Sequence, residues 1–195
     1  LISVVHSTLS QEVHSFQKIR ECFFPFFNRQ YDRVIAVSEM VRKDYCKVCR
    51  AKQGQTVTVY NPVVDLKFSE RAQEKINHPW LLPGHPYVTL VQAGRLCEAK
   101  NHSLMLQTLE ILNRSGDFRL ILLGDGELKE ELKAEVRLRN LTEKVDFTGY
   151  VDNPLPYIRL ADITVLSSRF EGLPTVVIEA LVLGKKIVCT DCPSG

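Results

Sequence analysis

Short apolar stretches alternate with longer amphipathic ones along most of this chain of 195 residues. From Tyr87 onward the alternation is regular, and it predicts strands that alternate with helices. The predicted strands cover residues 87–93, 118–123, 145–147, 163–166 and 186–190, and the predicted helices cover residues 101–115, 127–139, 154–160 and 174–184. Because this alternation is typical of a parallel sheet covered by helices, we expect a doubly wound α/β domain.

The first part of the chain follows a similar but less regular pattern. It predicts buried strands at residues 1–5 and 33–37, a third strand at 56–60, and helices at residues 12–30, interrupted at Pro25, and 39–51, capped by Ser38. The polar stretch 65–86 contains proline and glycine, which favours a linker with one short helix. We therefore expect the end of a first α/β domain (residues 1–62), a hinge (63–86) and a second domain truncated at its end (87–195).

The stretch from Leu166 to Gly184, LSSRFEGLPTVVIEALVLG, holds the densest candidate chemistry. We expect the end of a buried strand, then a polar loop, then a helix that Pro174 opens and Gly184 closes. Glu179 is the one charge in the run TVVIEALVL, and a helix that is apolar on nearly every face is a buried one. Since a buried carboxylate needs hydrogen-bond donors, Glu179 is a candidate for holding hydroxyl groups; the plainer alternative is a salt-bridged glutamate in the core.

Glu171 lies in the loop before this helix, with seven residues between it and Glu179. If residues 174–179 are helical, the two carboxylates lie roughly 10 Å apart, and the free N–H groups of the helix start lie between them. This arrangement describes a slot with an anion site in the middle and an acid that binds hydroxyl groups at each end. A sugar linked through a diphosphate to a nucleoside has the same layout.

Another phosphate-binding candidate follows the first strand of the second domain. Gly94 and Arg95 come directly after that strand, and Lys100 comes five residues after Arg95. A glycine lets a diphosphate approach the backbone, and a fixed cation balances its charge, although two solvated surface cations would give the same sequence. The later turn Gly124-Asp125-Gly126 is weak evidence, because it lacks the third glycine of a dinucleotide-binding fingerprint.

Composition and charge exclude several classes of protein. The net charge of +2 gives no reason to expect nucleic-acid binding, and no run of 18 apolar residues predicts a transmembrane helix. Because no methionine or charged segment precedes LISVV, we expect no signal peptide and interpret the chain as an excerpt from a longer cytoplasmic protein. The C-x-x-C pairs Cys46/Cys49 and Cys189/Cys192 are too distant for a zinc ribbon, which favours reduced thiols over a metal site or a redox pair.

The front segment is locally basic and contains a cluster of phenylalanines, Phe23, Phe24, Phe26 and Phe27. We favour a pair of helices packed into the core. The alternative is an amphipathic surface that makes peripheral contact with the cytoplasmic face of a membrane.

The Glu-x7-Glu motif in FEGLPTVVIEALVLGKKIV resembles the signature of retaining glycosyltransferases that use nucleotide sugars. These enzymes, of the large group-1 or family-4 type, have the GT-B architecture of two facing Rossmann-like domains. The segments VQAGRLCEAKN, LILLGDGELKEEL, VDFTGYVDNP and ADITVLSSRFEG follow in the family's order and spacing. The resemblance covers roughly residues 31–195 and, more faintly, the start of the chain.

The resemblance implies a role for each matching residue. Arg95 and Lys100 would bind the donor diphosphate and stabilise the leaving nucleotide. Glu171 would orient hydroxyl groups of the donor sugar, and Glu179 would hold the ribose. His6 follows the first strand, where a lone histidine is more often structural, but in relatives a histidine there lies beside the transferred sugar. The implied catalytic set is Glu171, Arg95, Lys100 and His6, and the donor-binding set is Gly94, Arg95, Lys100, Gly149, Tyr150, Val151, Glu171, Gly172, Leu173, Pro174, Thr175 and Glu179.

We therefore expect transfer of a hexosyl or N-acetylhexosaminyl group from a nucleoside-diphosphate sugar, with UDP as the expected nucleotide, to an acceptor hydroxyl with retention of configuration. The acceptor would be a saccharide or a lipid-linked saccharide in polysaccharide or glycolipid synthesis. No Asp-x-Asp metal motif is present, so we expect metal-independent chemistry without a cofactor. The alternatives are a sugar-nucleotide epimerase with the GT-B fold and a non-catalytic module that binds nucleotide sugars.

Overall fold

The computed structural model describes residues 1–12, 25–26, 28–52 and 54–193, and these residues form two compact units. Unit 1 consists of the described residues of three stretches, 1–62, 170–174 and 191–195. Unit 2 consists of Val63–Arg169 and Thr175–Thr190. The stretch for which the sequence predicts a hinge belongs to unit 2, since Phe68, Ala72 and Leu81 are buried there.

Unit 1 contains a parallel sheet in the order β1-β2-β3. Its elements along the chain are β1 (Ile2–Val5), α1 (Leu9–Glu12), β2 (Arg33–Ala36), α2 (Glu39–Cys49) and β3 (Thr56–Thr58). Ser38 caps α2 by accepting a hydrogen bond from the Val41 amide at 3.3 Å, as the sequence predicts. The helix lays Val41, Tyr45 and Cys49 on the core that the sheet forms.

The prediction that β1 is a buried strand is wrong for half of its residues. Val5 is buried, but Ile2 and Val4 are exposed. In the described residues β1 is an edge strand, and the side chains of a strand alternate between two faces of the sheet. Most of the predicted helix 12–30 lies outside the described residues, as do Phe23, Phe24 and Phe27. Phe26 is described, and its side chain is exposed.

Unit 2 contains a five-stranded parallel sheet in the order β6-β5-β4-β7-β8. Its strands are β4 (Val88–Ala93), β5 (Phe118–Leu123), β6 (Val145–Gly149), β7 (Ile163–Leu166) and β8 (Lys186–Cys189). Its helices are α3 (Phe68–Ala72), α4 (His102–Leu112), α5 (Lys129–Leu138), α6 (Leu155–Leu160) and α7 (Thr175–Val182), with 3₁₀ turns at Pro79–Leu81 and Glu98–Lys100. The predicted alternation is confirmed, and the order of the strands reverses between β4 and β7.

The sheet of unit 2 separates two apolar layers, which explains its nearly continuous apolar strands. One layer packs α4 and α5 against the sheet, with Leu106, Leu109 and Leu132 at its centre. The other packs α6 and α7, with Ile158 and Ala180 fully buried. Parallel strands direct all their carboxyl ends to one edge, where a reversal of strand order opens a crevice that ligands use in open α/β sheets.

The prediction that α7 is buried on nearly every face is wrong. Val176 and Ala180 are buried, but Leu181 and Val182 are 63% and 51% exposed. The helix packs on β7, β8 and α6. Because β8 is the outermost strand of the sheet, one side of α7 has no neighbour among the described residues.

His102, the first residue of α4, is buried without hydrogen-bond partners. Its side chain is 2% exposed, and neither ring nitrogen is bonded to any described residue. Burial, with a smaller contribution from the charge of Lys100, lowers the pKa of His102 from 6.5 to about 4. The histidine is therefore neutral in the folded protein at neutral pH.

We predict that His102 makes folding stability depend on pH between about 6.5 and about 4. In that window the unfolded chain binds a proton that the folded chain does not, so the free energy of unfolding decreases as the pH falls. Urea unfolding at pH 7.5 and pH 5 measures the effect. The loss between these pH values should be smaller in His102→Leu than in the parent protein, and an equal loss would contradict the prediction.

Candidate functional site

Three loops meet at the carboxyl ends of β4, β5 and β6. The Gly94 amide donates to the Leu123 carbonyl at 2.9 Å, and the Gly124 amide donates to the Gly149 carbonyl at 2.7 Å. Gly124 has a φ of 146°, and a Cβ placed on it would lie 2.0 Å from the Gly94 carbonyl oxygen. Only glycine fits there. The Gly-x-Gly turn, weak evidence in the sequence, thus lets two loops approach each other backbone to backbone.

A cavity of about 400 Å³ opens between these loops. It is lined by Ala93, Gly94, Arg95, Leu123, Gly124, Asp125, Tyr150, Val151 and Pro154. Four residues of the predicted donor-binding set (Gly94, Arg95, Tyr150 and Val151) therefore lie on one cavity. Tyr150 is exposed, and Gly149 before it has a φ of 81°. The cavity has both a cation and backbone groups at its wall.

Arg95 forms an ion pair at the surface with Glu127. Its Nε and Nη2 atoms each lie 3.1 Å from Glu127 Oε2, and both side chains are more than half exposed. Exposed ion pairs contribute about 0–1 kcal/mol to stability. Arg95 can therefore leave Glu127 for a ligand phosphate at little cost.

Lys100 ends the 3₁₀ turn after β4 and lies above Gly94. Its Cε atom is 3.2 Å from the position that a Cβ on Gly94 would take. The missing side chain of Gly94 therefore leaves room for the aliphatic part of Lys100. The loop between β4 and α4 carries both cations that the sequence predicts to bind phosphate, Arg95 and Lys100.

Glu179 occupies the middle of α7, and its side chain is half-buried. Among the described residues, none donates a hydrogen bond to its carboxylate or forms an ion pair with it. Burial raises the pKa of Glu179 above its ordinary value, and the more distant charge of Arg71 on α3 partly opposes that rise. Arg71 belongs to the stretch that the sequence predicts as a linker, and no sequence motif connects it with Glu179.

His6 and the predicted site residues of the loop 170–174 lie in unit 1, where that loop runs past the end of β1. The Glu171 amide donates to the Pro193 carbonyl at 2.9 Å, and a Cβ placed on Gly172 would lie 1.7 Å from the His6 carbonyl oxygen. Leu173 packs against the core of unit 1. The close approach of Gly172 to His6 brings the two predicted catalytic residues Glu171 and His6 to one end of the unit 1 sheet. Glu171 is buried there, and His6 is exposed.

The helix α7 begins at Thr175, one residue after the predicted start at Pro174, and Thr175 is exposed. Glu171 belongs to unit 1 and Glu179 to unit 2, so the separation of about 10 Å expected from helix geometry stays a prediction.

In the described part of the chain, no three His, Cys, Asp or Glu side chains cluster as metal ligands would. The cysteines described there, namely Cys46, Cys49, Cys97, Cys189 and Cys192, are free thiols. Within the same residues, every helix is too short or too polar to cross a lipid bilayer.

Comparison with known proteins identifies the family. Residues 73–195 match the family model of glycosyl transferases group 1. The chain is 39% identical over 106 residues to a Campylobacter jejuni N-acetylgalactosamine-N,N'-diacetylbacillosaminyl-diphospho-undecaprenol 4-alpha-N-acetylgalactosaminyltransferase, covering 54% of this chain and 28% of that protein. It is 27% identical over 181 residues to an uncharacterized glycosyltransferase of Methanocaldococcus jannaschii, covering 92% of this chain and 45% of that protein. The chain therefore spans less than half the length of these two relatives.

Two solved structures are similar to this chain over its whole length. Anabaena HepE in complex with UDP-glucose superimposes on the whole chain with a TM-score of 0.79 at 21% identity, and the match covers 54% of that protein. A mutant of S. aureus TarM in complex with fondaparinux, alpha-GlcNAc-glycerol and UDP gives a TM-score of 0.73 at 19% identity, covering 100% of this chain and 37% of that one. The chain belongs to the group-1 glycosyltransferase family, and its fold is of the Rossmann-like GT-B class.

We predict that Glu179→Gln stabilises the protein in the absence of ligand. Because the pKa of Glu179 is raised, the ionised carboxylate lowers stability at pH values above that raised pKa. A neutral amide of the same shape removes this cost, and the unfolding midpoint at pH 7.5 should rise by roughly 2–4 °C, the scale of about 1 kcal/mol.

The matched control for this thermal-unfolding measurement is Glu143→Gln, which changes an exposed glutamate. The gain from Glu179→Gln should shrink at pH 4, where the carboxyl group is mostly protonated in both the folded and the unfolded chain. A lower midpoint for Glu179→Gln than for the control at pH 7.5 would show that the carboxylate is stabilised by the fold.

Proposed function

We propose that the full-length protein transfers a hexosyl or N-acetylhexosaminyl group from a UDP-sugar to an acceptor hydroxyl with retention of configuration. The acceptor is a saccharide or a lipid-linked saccharide in polysaccharide or glycolipid synthesis. Membership of the group-1 family supports this reaction class, as do the UDP-glucose complex of HepE and the undecaprenol-linked substrate in the name of the Campylobacter relative.

One observation carries the proposal: Arg95, Gly94 and the segment Tyr150–Val151 line a single cavity at the carboxyl ends of the unit 2 strands. A cation beside exposed backbone suits a diphosphate, because the cation balances charge while the glycine lets phosphate oxygens come close. The neighbouring backbone at residues 149–151 offers fixed donors and acceptors for a nucleobase. The cavity reaches the carboxyl end of β4, and open α/β sheets bind such ligands where the strand order reverses, here between β4 and its other neighbour β7.

The chemistry needs stabilisation of charge on the leaving group. As the bond from the anomeric carbon to the phosphate oxygen breaks, its electron pair stays on the diphosphate. Arg95 and Lys100 offset that negative charge, and they do so most strongly in the transition state. The acceptor oxygen attacks from the same face that the diphosphate leaves, and a donor phosphate oxygen takes the acceptor proton. The reaction in this proposal uses neither a metal ion nor a cofactor, so excess chelator leaves the rate unchanged.

The other residues bind and orient the donor. Glu171 accepts hydrogen bonds from hydroxyl groups of the transferred sugar, with His6 beside that sugar. Glu179 accepts hydrogen bonds from the ribose hydroxyls, which supply the donors that its carboxylate lacks among the described residues. The backbone from Gly172 to Thr175 adds N–H groups near the diphosphate.

Two other functions use a similar donor site. A sugar-nucleotide epimerase would release or epimerise the sugar, and a binding module would leave the donor intact. Incubation of the full-length protein with UDP-sugars and a lipid-linked saccharide, followed by mass spectrometry of the products, distinguishes transfer, hydrolysis or epimerisation, and binding alone.

We predict that Arg95→Ala and Lys100→Ala each slow transfer by about 30- to 150-fold, equivalent to about 2–3 kcal/mol of lost transition-state stabilisation. Arg114→Ala is the matched control, since Arg114 is an exposed arginine of unit 2 that pairs with Glu110. Steady-state rates of UDP release in the presence of acceptor measure the effect. Parental rates in both variants would mean that these cations are only surface residues.

We also predict that Glu171→Gln and Glu179→Gln change different kinetic parameters. Glu171 contacts the reacting sugar, so Glu171→Gln removes an interaction that tightens in the transition state and should lower kcat and kcat/KM together. Glu179 contacts the ribose, which does not change during transfer, so Glu179→Gln should raise the KM for the donor while kcat changes less. The reverse pattern in steady-state kinetics would mean that the donor binds in the opposite orientation.

A further inference from the structure

A buried amide and a buried hydroxyl meet behind the loop that carries Arg95 and Lys100. Gln92 lies on β4 and is 1% exposed, and Ser167 follows β7 and is 5% exposed. Gln92 Nε2 donates to Ser167 Oγ at 3.0 Å and lies 3.4 Å from the Lys100 carbonyl oxygen. Neither side chain lines the cavity beside Gly94, so a direct contact with a ligand there is not their role.

The segment after β7 binds three successive carbonyl groups of that loop. The Arg169 amide donates to the Ala99 carbonyl at 2.8 Å. The Ser167 hydroxyl lies within donating distance of the Lys100 carbonyl at 2.9 Å and the Asn101 carbonyl at 3.0 Å. Hydrogen bonds from the segment after β7 thus hold the backbone that carries the Lys100 side chain.

The held backbone has an uncommon conformation. Asn101 has φ 48° and ψ 47°, the left-handed region, where the chain passes from the 3₁₀ turn Glu98–Lys100 into α4. Asparagine enters that region more readily than most residues, but the region is still sparsely populated, and the hydrogen bonds from the segment after β7 help to hold Asn101 there. Loss of a hydrogen bond at Lys100 or Asn101 therefore favours movement of the backbone, and the Lys100 ammonium group moves with it.

Stability alone does not explain the choice of these polar residues. Gln92 Oε1 is buried and has no hydrogen-bond partner among the described residues. A buried polar atom without a partner lowers stability, and an apolar side chain of similar length would avoid that cost. We therefore attribute the amide at position 92 to the hydrogen bonds that its Nε2 group donates to Ser167 and to the Lys100 carbonyl.

We propose that Gln92 and Ser167 are positioning residues that fix Lys100 against the donor diphosphate. This inference rests on the proposed function, because it assigns to Lys100 the stabilisation of the leaving group. Displacement of a charged group by about 1 Å is enough to lower a rate substantially. Their effect reaches the reaction through the backbone of Lys100 and not through contact with the substrate.

The test uses Ser167→Ala in the full-length enzyme with Thr164→Val as the matched control. Thr164 is a fully buried hydroxyl residue on β7 whose Oγ1 has no hydrogen-bond partner among the described residues. We expect Ser167→Ala to lower kcat by about five- to tenfold, the effect of losing one or two hydrogen bonds, with a smaller change in donor KM. Thr164→Val should keep the parental kcat, and Ser167→Thr, which keeps the hydroxyl, should recover most of it.

A double-mutant cycle with Lys100→Ala separates positioning from a general structural effect. If Ser167 acts through Lys100, Ser167→Ala has no further effect on kcat once Lys100 is alanine. Equal effects of Ser167→Ala in both backgrounds overturn the proposal.

Amide hydrogen exchange of the ligand-free protein gives a readout that does not depend on activity. Exchange across residues 97–104 should be faster in Ser167→Ala than in Thr164→Val. Unchanged exchange overturns the positioning inference alone, whereas a parent enzyme that transfers no sugar from any UDP-sugar overturns the proposed function.

Discussion

The close approach of two backbones at the carboxyl ends of β4 and β5 is the constraint on which the site of unit 2 depends. The Gly94 carbonyl occupies the space that a side chain on residue 124 would need. The same two loops are joined by hydrogen bonds from the Leu96 amide to the Asp125 carbonyl and from the Leu128 amide to the Leu96 carbonyl, each at 3.0 Å. These bonds hold the backbone of the loop after β4. The side chains of Arg95 and Lys100 therefore start from fixed positions.

Two charged groups that the proposal places at the donor site have weak or no interactions with the rest of unit 2 among the described residues. The half-buried carboxylate of Glu179 has a raised pKa and no hydrogen-bond donor among the described residues. Such a group lowers stability in the free protein and becomes satisfied when hydroxyl groups bind, so it favours the bound state. The ion pair between Arg95 and Glu127 is exposed and easily exchanged. Both features suit a site whose strongest interactions form with a ligand.

Much of the fold could be predicted from the sequence, because strands buried on both faces are nearly all apolar and amphipathic helices separate them. Residues 118–123 and 163–166 are strands with the predicted bounds. Composition gave a wrong prediction where a neighbouring element is missing among the described residues. The helix α7 is apolar except for Thr175 and Glu179, yet Leu181 is exposed because β8 is an edge strand. In the site, Arg95 and Lys100 share one loop, as their spacing suggested. Gln92 and Ser167 could not be predicted, since their pairing depends on β4 and β7 being adjacent in the sheet.

Amide hydrogen exchange of the full-length protein with and without UDP tests most directly whether the carboxyl ends of β4 to β6 hold the nucleotide. Bound UDP should slow exchange in residues 94–101 and 149–151, where the diphosphate and the base contact the backbone in the proposed complex. Exchange in α2 of unit 1, residues 39–49, should stay the same and serves as the internal reference. Saturating UDP that leaves both segments unchanged, or that protects only residues elsewhere, would contradict this location of the donor site.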